Sequence, residues 1–300
     1  MDVLRTPEER FVDLPDWAYA PRYVDDLPGY EGLRVHYVDE GPADADRVFL
    51  CLHGEPSWAY LFRRMMPVFL ASGARVVVPD WLGFGRSDKP TDDGWYGFHR
   101  HRDMMLAFIE RLDLTNVTLV VQDWGGVLGL TLPHAMPERF SRLLIMNTAL
   151  ATGRAPSEGF LQWRAWAAAN PDMAVGRLIA RGTPHLSDAE IAAYDAPFPD
   201  MRHKAGVRRF PQMVMTDPDM EGVQTSREAA AFWRERWRGE SFMAFGGADP
   251  VLGEDVMRAM ARLIRNCPEP MVLPQAGHFV QEWGEPVARA ALAHWGDDVA

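Results

Sequence analysis

An aspartate between an apolar run and a glycine-containing turn is the first candidate for chemistry in this chain. Val117–Val121 is a short, β-branched run, and Gln122–Gly126 (Gln-Asp-Trp-Gly-Gly) follows it directly. A strand, a sharp turn with small residues behind it and a helix form a nucleophile elbow, which raises one side chain above a sheet. The raised side chain here is the carboxylate of Asp123. Asp123 could instead cap the following helix, a role that Asp fills well, so neighbouring segments must decide between the two.

A second segment could stabilise negative charge beside that aspartate. His53–Trp58 follows the apolar run Val48–Leu52 and contains Glu55. In this setting the residue two positions after the histidine donates its backbone N–H to an oxyanion, together with the N–H that follows the nucleophile. The two donors would be Glu55 and Trp124. The alternative for His53–Trp58 is an ordinary Gly-Pro turn.

An acid and a histidine come later, again just past apolar runs. Asp249 follows Phe242–Phe245, and His278 follows Met271–Leu273. Nucleophile, acid and histidine in this order, each at the carboxyl end of a strand, form the order of an α/β-hydrolase triad. An isolated histidine is more often structural. Three roles in the right order and context, together with the His-Gly turn, favour a single active site.

The elements that would position these residues are short apolar runs alternating with helical patterns. Such runs, flanked by Gly, Pro or Asp, suit strands buried on both faces, and their alternation with helices predicts a mostly parallel sheet. The predicted strands are 48–52, 74–78, 117–121, 143–146, 242–245 and 271–273, and the predicted helices are 99–112, 127–136, 255–265 and 286–295. The fold class is therefore α/β, with helices flanking a mostly parallel central sheet.

The pattern changes between about Ala151 and Arg238. This stretch lacks short β-branched runs, contains tryptophans at helical spacing and is broken by several Xaa-Pro pairs. Strand signals resume at Phe242, which favours an insertion over a second domain in series. The sequence predicts a helical cap domain, residues 151–238, inserted in a core domain of residues 1–150 and 239–300.

Charge and composition exclude several classes of partner. Lys and Arg total 31 against 42 Asp and Glu, a net charge of −11 that would repel nucleic acid, anionic lipid and extended anionic substrates. No apolar run approaches the ~20 residues of a membrane span, and the N-terminal sequence lacks a signal-peptide pattern. We expect a cytoplasmic protein with no membrane partner, acting as a monomer.

No metal or organic cofactor is predicted. Cys51 and Cys267 are too few for a disulfide scaffold or a cysteine metal cluster, and we expect both to be reduced thiols. His99–His101 lacks acidic ligands at a suitable spacing, and no phosphate-binding glycine loop is present. Gly83–Ser87 superficially looks like such a loop, but we interpret it as a tight turn flanking the oxyanion hole.

From about residue 30 to the C-terminus, the chain resembles the haloalkane dehalogenase family of α/β-hydrolases. Four segments carry this resemblance: His53–Trp58, Val120–Gly126, Asp249–Leu252 and Ala276–Glu282. The segment Gly159–Trp163 further resembles the branch of that family in which the triad acid follows the seventh strand and the cap supplies a halide-binding tryptophan. The resemblance implies an α/β-hydrolase fold with a helical cap and hydrolysis of carbon–halogen bonds.

The resemblance also implies a role for individual residues. Asp123 would be the nucleophile, His278 the base and Asp249 its partner, while Trp124 and Trp163 would bind the halide. Trp166, one helical turn from Trp163, is the rival for the second halide ligand. The implied pocket residues are Phe160, Phe210, Pro211, Val251 and Leu252. The elbow departs from its usual form at Val121, where a small residue is common, a departure that this family tolerates.

An aspartate nucleophile restricts the bond that can be broken. Attack on a carboxylic ester would give a less stable anhydride, whereas displacement at an sp³ carbon gives an alkyl ester of Asp123. Water activated by His278 could then attack the ester carbonyl, with the oxyanion bound by backbone N–H groups. Indole N–H groups only donate, which suits a departing halide. The expected reaction converts a small neutral haloalkane into a primary alcohol, a halide ion and a proton.

Three other functions use related residues. An epoxide hydrolase has the same aspartate but needs phenolic donors, and the insertion contains only Tyr194. A fluoroacetate-type dehalogenase would want arginines shortly after Asp123, where this chain has Trp-Gly-Gly. A non-catalytic binding protein of this fold would have lost a triad member.

Asn147 occupies the other position where the family can carry its triad acid. An amide there favours Asp249 as the acid, with Asn147 a hydrogen-bonding bystander.

Overall fold

One eight-stranded sheet organises the protein. The computed structural model describes residues 2–297. Its strands are β1 Val3–Leu4, β2 Arg22–Val24, β3 Val35–Glu40, β4 Val48–Leu52, β5 Arg75–Pro79, β6 Lys89–Pro90, β7 Val117–Val121, β8 Phe140–Met146, β9 Glu240–Gly246 and β10 Met271–Leu273. The large sheet has the order β10-β9-β8-β7-β4-β5-β3-β2, and β1 pairs with β6 separately. Strand β3 is antiparallel to β2 and β5, and the other pairings of the large sheet are parallel.

Helices cover the sheet and fill the long connection between β8 and β9. They are α1 Met66–Ala71, α2 Phe98–Arg111, α3 Trp124–Gly129, α4 Leu132–Ala135, α5 Glu158–Ala169, α6 Val175–Gly182, α7 Asp188–Asp195, α8 Ala205–Met213, α9 Val223–Ala231, α10 Glu254–Leu263 and α11 Gly284–His294. Helices α5 to α9 lie in the predicted insertion. No helix within residues 2–297 is long and apolar enough to cross a membrane.

The central strands are buried along their whole length. Every residue of β4 and β7 is buried, as expected for parallel strands covered by helices on both faces. Their pairing places Leu52 directly opposite Val121, so the segments that follow the two strands start side by side. Loops after β9 and β10 reach the same edge of the sheet because these strands are parallel to their neighbours. The candidate site therefore lies at the carboxyl ends of the strands.

The sequence predicts the parallel strands closely and misses other elements. All six predicted strands are present, while β2 and β3 were not predicted because their polar and charged residues hide the pattern of a buried strand. The predicted helix 127–136 is wrong: α3 already begins at Trp124, and a break separates it from α4. Pro133 explains this break, because proline fits the first turn of a helix but not its interior.

The end of the insertion packs against the core. The Trp233 indole N–H, in the π-helical turn after α9, donates to the Leu130 carbonyl at 2.7 Å. Glu228 of α9 lies 3.5 Å from His134 of α4. Phe210 of α8 packs its ring 4.8 Å from that of Trp124. Helix α9 therefore lies against the core, whereas α8 reaches the candidate site.

Candidate active site

Asp123 stands on a strained turn between β7 and α3. Its φ of +49° lies in a region that non-glycine residues rarely occupy. The backbone is held there by two bonds: its N–H donates to the Asn147 carbonyl at 2.9 Å, and its carbonyl accepts from the Thr148 hydroxyl at 2.7 Å. The side chain makes no capping bond to α3. The helix-cap alternative is therefore wrong, because the Asp123 carboxylate does not bond to the first turn of α3.

Two glycines allow this turn to approach its neighbours. A Cβ atom on Gly125 would lie 1.9 Å from the Leu52 carbonyl oxygen, and one on Gly54 would lie 2.4 Å from the Cβ of Asp123. Both distances are far inside van der Waals contact, so a side chain at either position would push the loops apart. The small residue that the elbow requires is thus at Gly125, while Val121 is accommodated within the buried strand β7.

The backbone N–H of Glu55 is bonded to the carboxylate of Asp123. It donates to Oδ1 at 2.8 Å, as expected for one half of an oxyanion hole. Among residues 2–297 the Trp124 N–H forms no hydrogen bond to this carboxylate, although Trp124 is adjacent to it. The Glu55 side chain is itself buried, and its Oε1 atom has no hydrogen-bond partner in the described part of the chain. Burial, helped by the nearby charge of Asp123, raises the pKa of Glu55 well above the usual range.

Asp249 holds one side of the His278 ring. Its Oδ2 atom lies 2.7 Å from Nδ1 of His278 and accepts a 2.9 Å bond from the Asn147 amide. Burial alone would raise the pKa of Asp249, but the charge of His278 and bonds from backbone N–H groups outweigh burial and lower it to about 2. Asn147, expected to form hydrogen bonds beside the site, has the carboxylate of Asp249 as one of its partners.

The other side of the ring faces Asp123. Nε2 of His278 lies 3.5 Å from Oδ2 of Asp123. Burial disfavours the imidazolium, but the charges of Asp249 and Asp123 prevail and raise the pKa of His278 to about 10. The Gln122 amide nitrogen, which the sequence analysis did not single out, lies 2.9 Å from Nε2 and donates to the His278 carbonyl at 3.2 Å. In the sequence, the one indication that Gln122 could belong to the site was its position directly before Asp123.

A cavity of about 620 Å³ opens above Asp123. Trp124, Trp163 and Trp166 line it, and within residues 2–297 none of their indole N–H groups has a protein acceptor. By contrast, the buried indoles of Trp58 and Trp81 donate to backbone carbonyls. Trp163 and Trp166 stack with ring centroids 5.6 Å apart. The cavity thus combines a carboxylate with several unsatisfied donors, an arrangement suited to expelling and holding a small anion.

Four of the five predicted pocket residues line this cavity. They are Phe160, Pro211, Val251 and Leu252. Phe210 does not line it: the side chain is fully buried and packs behind Trp124. Consecutive helical residues point about 100° apart, so Pro211 and Phe210 of α8 face different surroundings.

Several other lining residues escaped sequence reasoning. Helix α6 contributes Leu178, Arg181 and Gly182, and α5 contributes Gln162. No local pattern distinguishes these positions from an ordinary amphipathic helix. Tyr194, the tyrosine of the insertion, is fully buried outside the cavity lining, with its hydroxyl bonded to Glu282.

Comparisons with known proteins identify the family of this chain. A family model described as the alpha/beta hydrolase fold matches residues 47–285. A haloalkane dehalogenase of Psychrobacter cryohalolentis is 45% identical and covers 96% of both chains. One from Mycobacterium marinum is 42% identical over 98% of this chain and 100% of its own. The solved structure of a haloalkane dehalogenase from Paraglaciecola agarilytica, described as tetrameric, is 51% identical with a TM-score of 0.96 and covers 98% of both chains. On this similarity and its α/β-hydrolase fold, the chain belongs to the haloalkane dehalogenase family, whose enzymes hydrolyse carbon–halide bonds.

Proposed function

We propose that this chain hydrolyses small neutral haloalkanes through an alkyl ester on Asp123. The observation that carries the proposal is the Asp123 carboxylate itself. It makes no helix-capping bond, accepts the Glu55 N–H at 2.8 Å, and opens into a cavity lined by indoles that have no acceptor among the described residues. The products would be a primary alcohol, a halide ion and a proton.

In the first step one oxygen of Asp123 attacks the halogen-bearing carbon. A carbon–oxygen bond forms as the carbon–halogen bond breaks, and the halide leaves with the bonding electrons. The indole N–H groups of Trp124 and Trp163 bind it. A hydrogen bond to a charged group contributes about 1.5 to 3 kcal/mol, so two would lower the barrier by roughly 3 to 5 kcal/mol, about a thousandfold in rate.

In the second step His278 activates water. Esterification removes the charge of Asp123, one of the two charges that raise the pKa of His278, so the pKa of the ring falls. The ring releases its Nε2 proton to solvent, which is the proton among the products, and Nε2 becomes available as a base. It takes a proton from water as the oxygen attacks the ester carbonyl, and Asp249 stabilises the imidazolium. The N–H groups of Glu55 and Trp124 bind the oxyanion. As the intermediate collapses, the bond from the former ester carbonyl to the alkyl oxygen breaks, and that oxygen takes the proton from the His278 imidazolium and leaves as the alcohol. The Asp123 carboxyl group then returns its remaining proton to His278 and is restored as a carboxylate.

We propose the same division of the chain as above, with cap residues 151–238 on a core of 1–150 and 239–300. Helices α5, α6 and α8 supply cavity residues, among them Trp163, Leu178 and Pro211, which supports a roof over the site. Helix α9 packs on the core, so substrate contacts would come from the earlier part of the cap. A cytoplasmic location also stays a prediction.

A solved relative disagrees with the expected monomer. The relative from Paraglaciecola agarilytica is described as tetrameric and is 51% identical over 98% of this chain, which argues against a monomer. We propose that this chain also forms an oligomer. Sedimentation or light scattering at micromolar concentration would measure its mass, and a single species of 33.9 kDa would contradict the proposal.

The function is tested by measuring halide release from short terminal chloro- and bromoalkanes, with terminal epoxides as the comparison. We expect halide and alcohol from the haloalkanes and no diol from the epoxides. Ring opening needs a donor for the epoxide oxygen, and the buried Tyr194 hydroxyl is engaged with Glu282 outside the cavity lining. Epoxide turnover without halide release would favour the epoxide hydrolase alternative.

A further inference from the structure

The cavity is not uniformly apolar, because Arg181 of α6 lines it together with Trp163 and Trp166. Arg181 is an exposed residue, whereas Asp249 and Trp124 at the other end of the cavity are buried. This difference in exposure places Arg181 at the mouth and the reacting carboxylate at the bottom. A substrate attacked by Asp123 would therefore direct its far end toward a guanidinium group.

The position of Arg181 is set by contacts with the loop after β10 that contains Gly277 and His278. Its neighbour Gly182 packs against Gly277, where an added Cβ would come within 2.9 Å of the Gly182 carbonyl oxygen. Gly277 directly precedes His278. The last turn of α6 is thus held against the loop that carries the proposed base, which keeps Arg181 at the edge of the active site.

The guanidinium group of Arg181 also rests on the tryptophan pair. Its central carbon lies 5.0 Å from the Trp166 ring centroid, and Trp166 stacks on Trp163. Within residues 2–297, Arg181 forms no salt bridge or hydrogen bond to a carboxylate. A cation over an aromatic face keeps its N–H groups, which lie in the guanidinium plane, available to another partner.

From this arrangement we infer that Arg181 selects haloalkanes bearing a carboxylate at the end opposite the halogen. The inference rests on the proposed function: displacement by Asp123 and hydrolysis of the ester stay the same, but the preferred haloalkane carries one negative charge instead of being neutral. Arg binds carboxylates through two parallel N–H donors, a geometry that few other side chains offer. The ligand class is therefore ω-haloalkanoates, with the halogen at Asp123 and the carboxylate at the mouth.

Two charge considerations define this class more closely. A carboxylate next to the reacting carbon would face the negative charge of Asp123, so 2-haloacids do not fit. The net charge of −11 argues against extended anionic substrates, but at physiological salt distant charges are screened beyond about 8 Å. A single carboxylate at the mouth would experience mainly Arg181.

The experiment compares ω-bromoalkanoates of increasing length with the matching ω-bromoalkanamides, which have nearly the same shape but no charge. The measured quantity is the ratio of kcat/KM for acid over amide in wild type, Arg181→Gln and Arg177→Gln. Arg177, also on α6 and exposed, lies outside the cavity lining and is the matched control.

We expect Arg181→Gln to lower the acid-to-amide ratio about three- to tenfold, the scale of a partly exposed ion pair. Arg177→Gln should leave the ratio at its wild-type value. Added salt should lower the ratio in wild type but not in Arg181→Gln.

Other outcomes overturn the inference in distinguishable ways. An equal loss of kcat/KM on acids and amides would mean that Arg181 only supports the position of Trp166. An unchanged ratio in Arg181→Gln, or the same loss in Arg177→Gln, would also overturn it while amide turnover upheld the proposed function. Absence of bromide release from every substrate by wild type would overturn both.

Discussion

Nε2 of His278 lies 3.5 Å from Oδ2 of Asp123, while Nδ1 of the same ring lies 2.7 Å from Asp249. The imidazole is thus placed between two carboxylates, and their charges overcome burial and raise its pKa to about 10. A raised pKa favours the imidazolium form before substrate reacts, which suits the proposed reaction because its first step needs no base. In the proposed mechanism, loss of the Asp123 charge on esterification would lower this pKa, so that the ring loses its proton and Nε2 is free to accept one from water.

The raised pKa predicts a pH-dependent contribution of His278 to stability. The folded pKa of about 10 exceeds the ordinary value of 6.5, so the contribution is complete below about pH 6.5 and is lost as the pH rises through 10. We expect the difference in unfolding free energy between wild type and His278→Gln to shrink over this range. Denaturant titrations at several pH values measure it, with His99→Gln as the control for loss of an imidazole. A difference independent of pH between 6 and 10.5 would contradict the assignment.

Replacing His278 by Gln should trap the covalent intermediate. The variant lacks the base of the second step but retains Asp123 and the indoles, so displacement proceeds and hydrolysis does not. Intact-protein mass spectrometry after mixing with a dibromoalkane should show one adduct, and peptide mapping should place it on Asp123.

The control for this trapping experiment is the double variant Asp123→Ala/His278→Gln. It lacks the proposed nucleophile and should give no adduct. Asp123→Ala alone should abolish turnover, because Asp123 is the carboxylate on the elbow. An unmodified mass for His278→Gln with halide release also lost would show that His278 acts before the displacement.

Trp163→Phe should weaken halide binding by about tenfold, because it preserves the aromatic packing but removes one charge-assisted hydrogen bond. Bromide titration followed by tryptophan fluorescence gives the affinity, and a burst of halide release gives the rate of carbon–halogen cleavage. Trp166→Phe is the matched control, since Trp166 lines the same cavity and stacks on Trp163. Weaker binding in Trp166→Phe alone would exchange the roles of the two tryptophans.

The source of the alcohol oxygen separates a covalent mechanism from direct attack by water. If Asp123 displaces the halide, its own oxygen bridges to the alkyl group and leaves with the alcohol. A single turnover with excess enzyme in ¹⁸O-water should therefore give mostly unlabelled alcohol and a labelled Asp123 peptide.

Many turnovers in the same water are the control, because the carboxylate then exchanges its oxygens and the alcohol becomes labelled. Label in the first-turnover alcohol would show that His278 activates water directly at the carbon. The covalent mechanism would then be wrong even with dehalogenase activity present.

Local patterns were sufficient to locate the groups proposed to react. Val117–Val121 is buried at every position. Such an apolar run followed by Gln122–Gly126 predicts a central strand that enters a tight turn. The order of Asp123, Asp249 and His278 at successive strand ends was readable because parallel strands present their carboxyl ends at one edge.

Contacts between distant segments required the tertiary structure. The family resemblance implied both Phe210 and Pro211 as pocket residues, yet α8 places the Phe210 ring against Trp124 outside the cavity lining and only Pro211 in the lining. Gln122 contacts His278, 156 residues further along the chain, only because β7 and the loop after β10 converge. Arg181 becomes a cavity residue because α6 docks on the loop carrying Gly277. Sequence patterns report which face of an element is apolar, but the partner and angle of each face are chosen by packing all elements together.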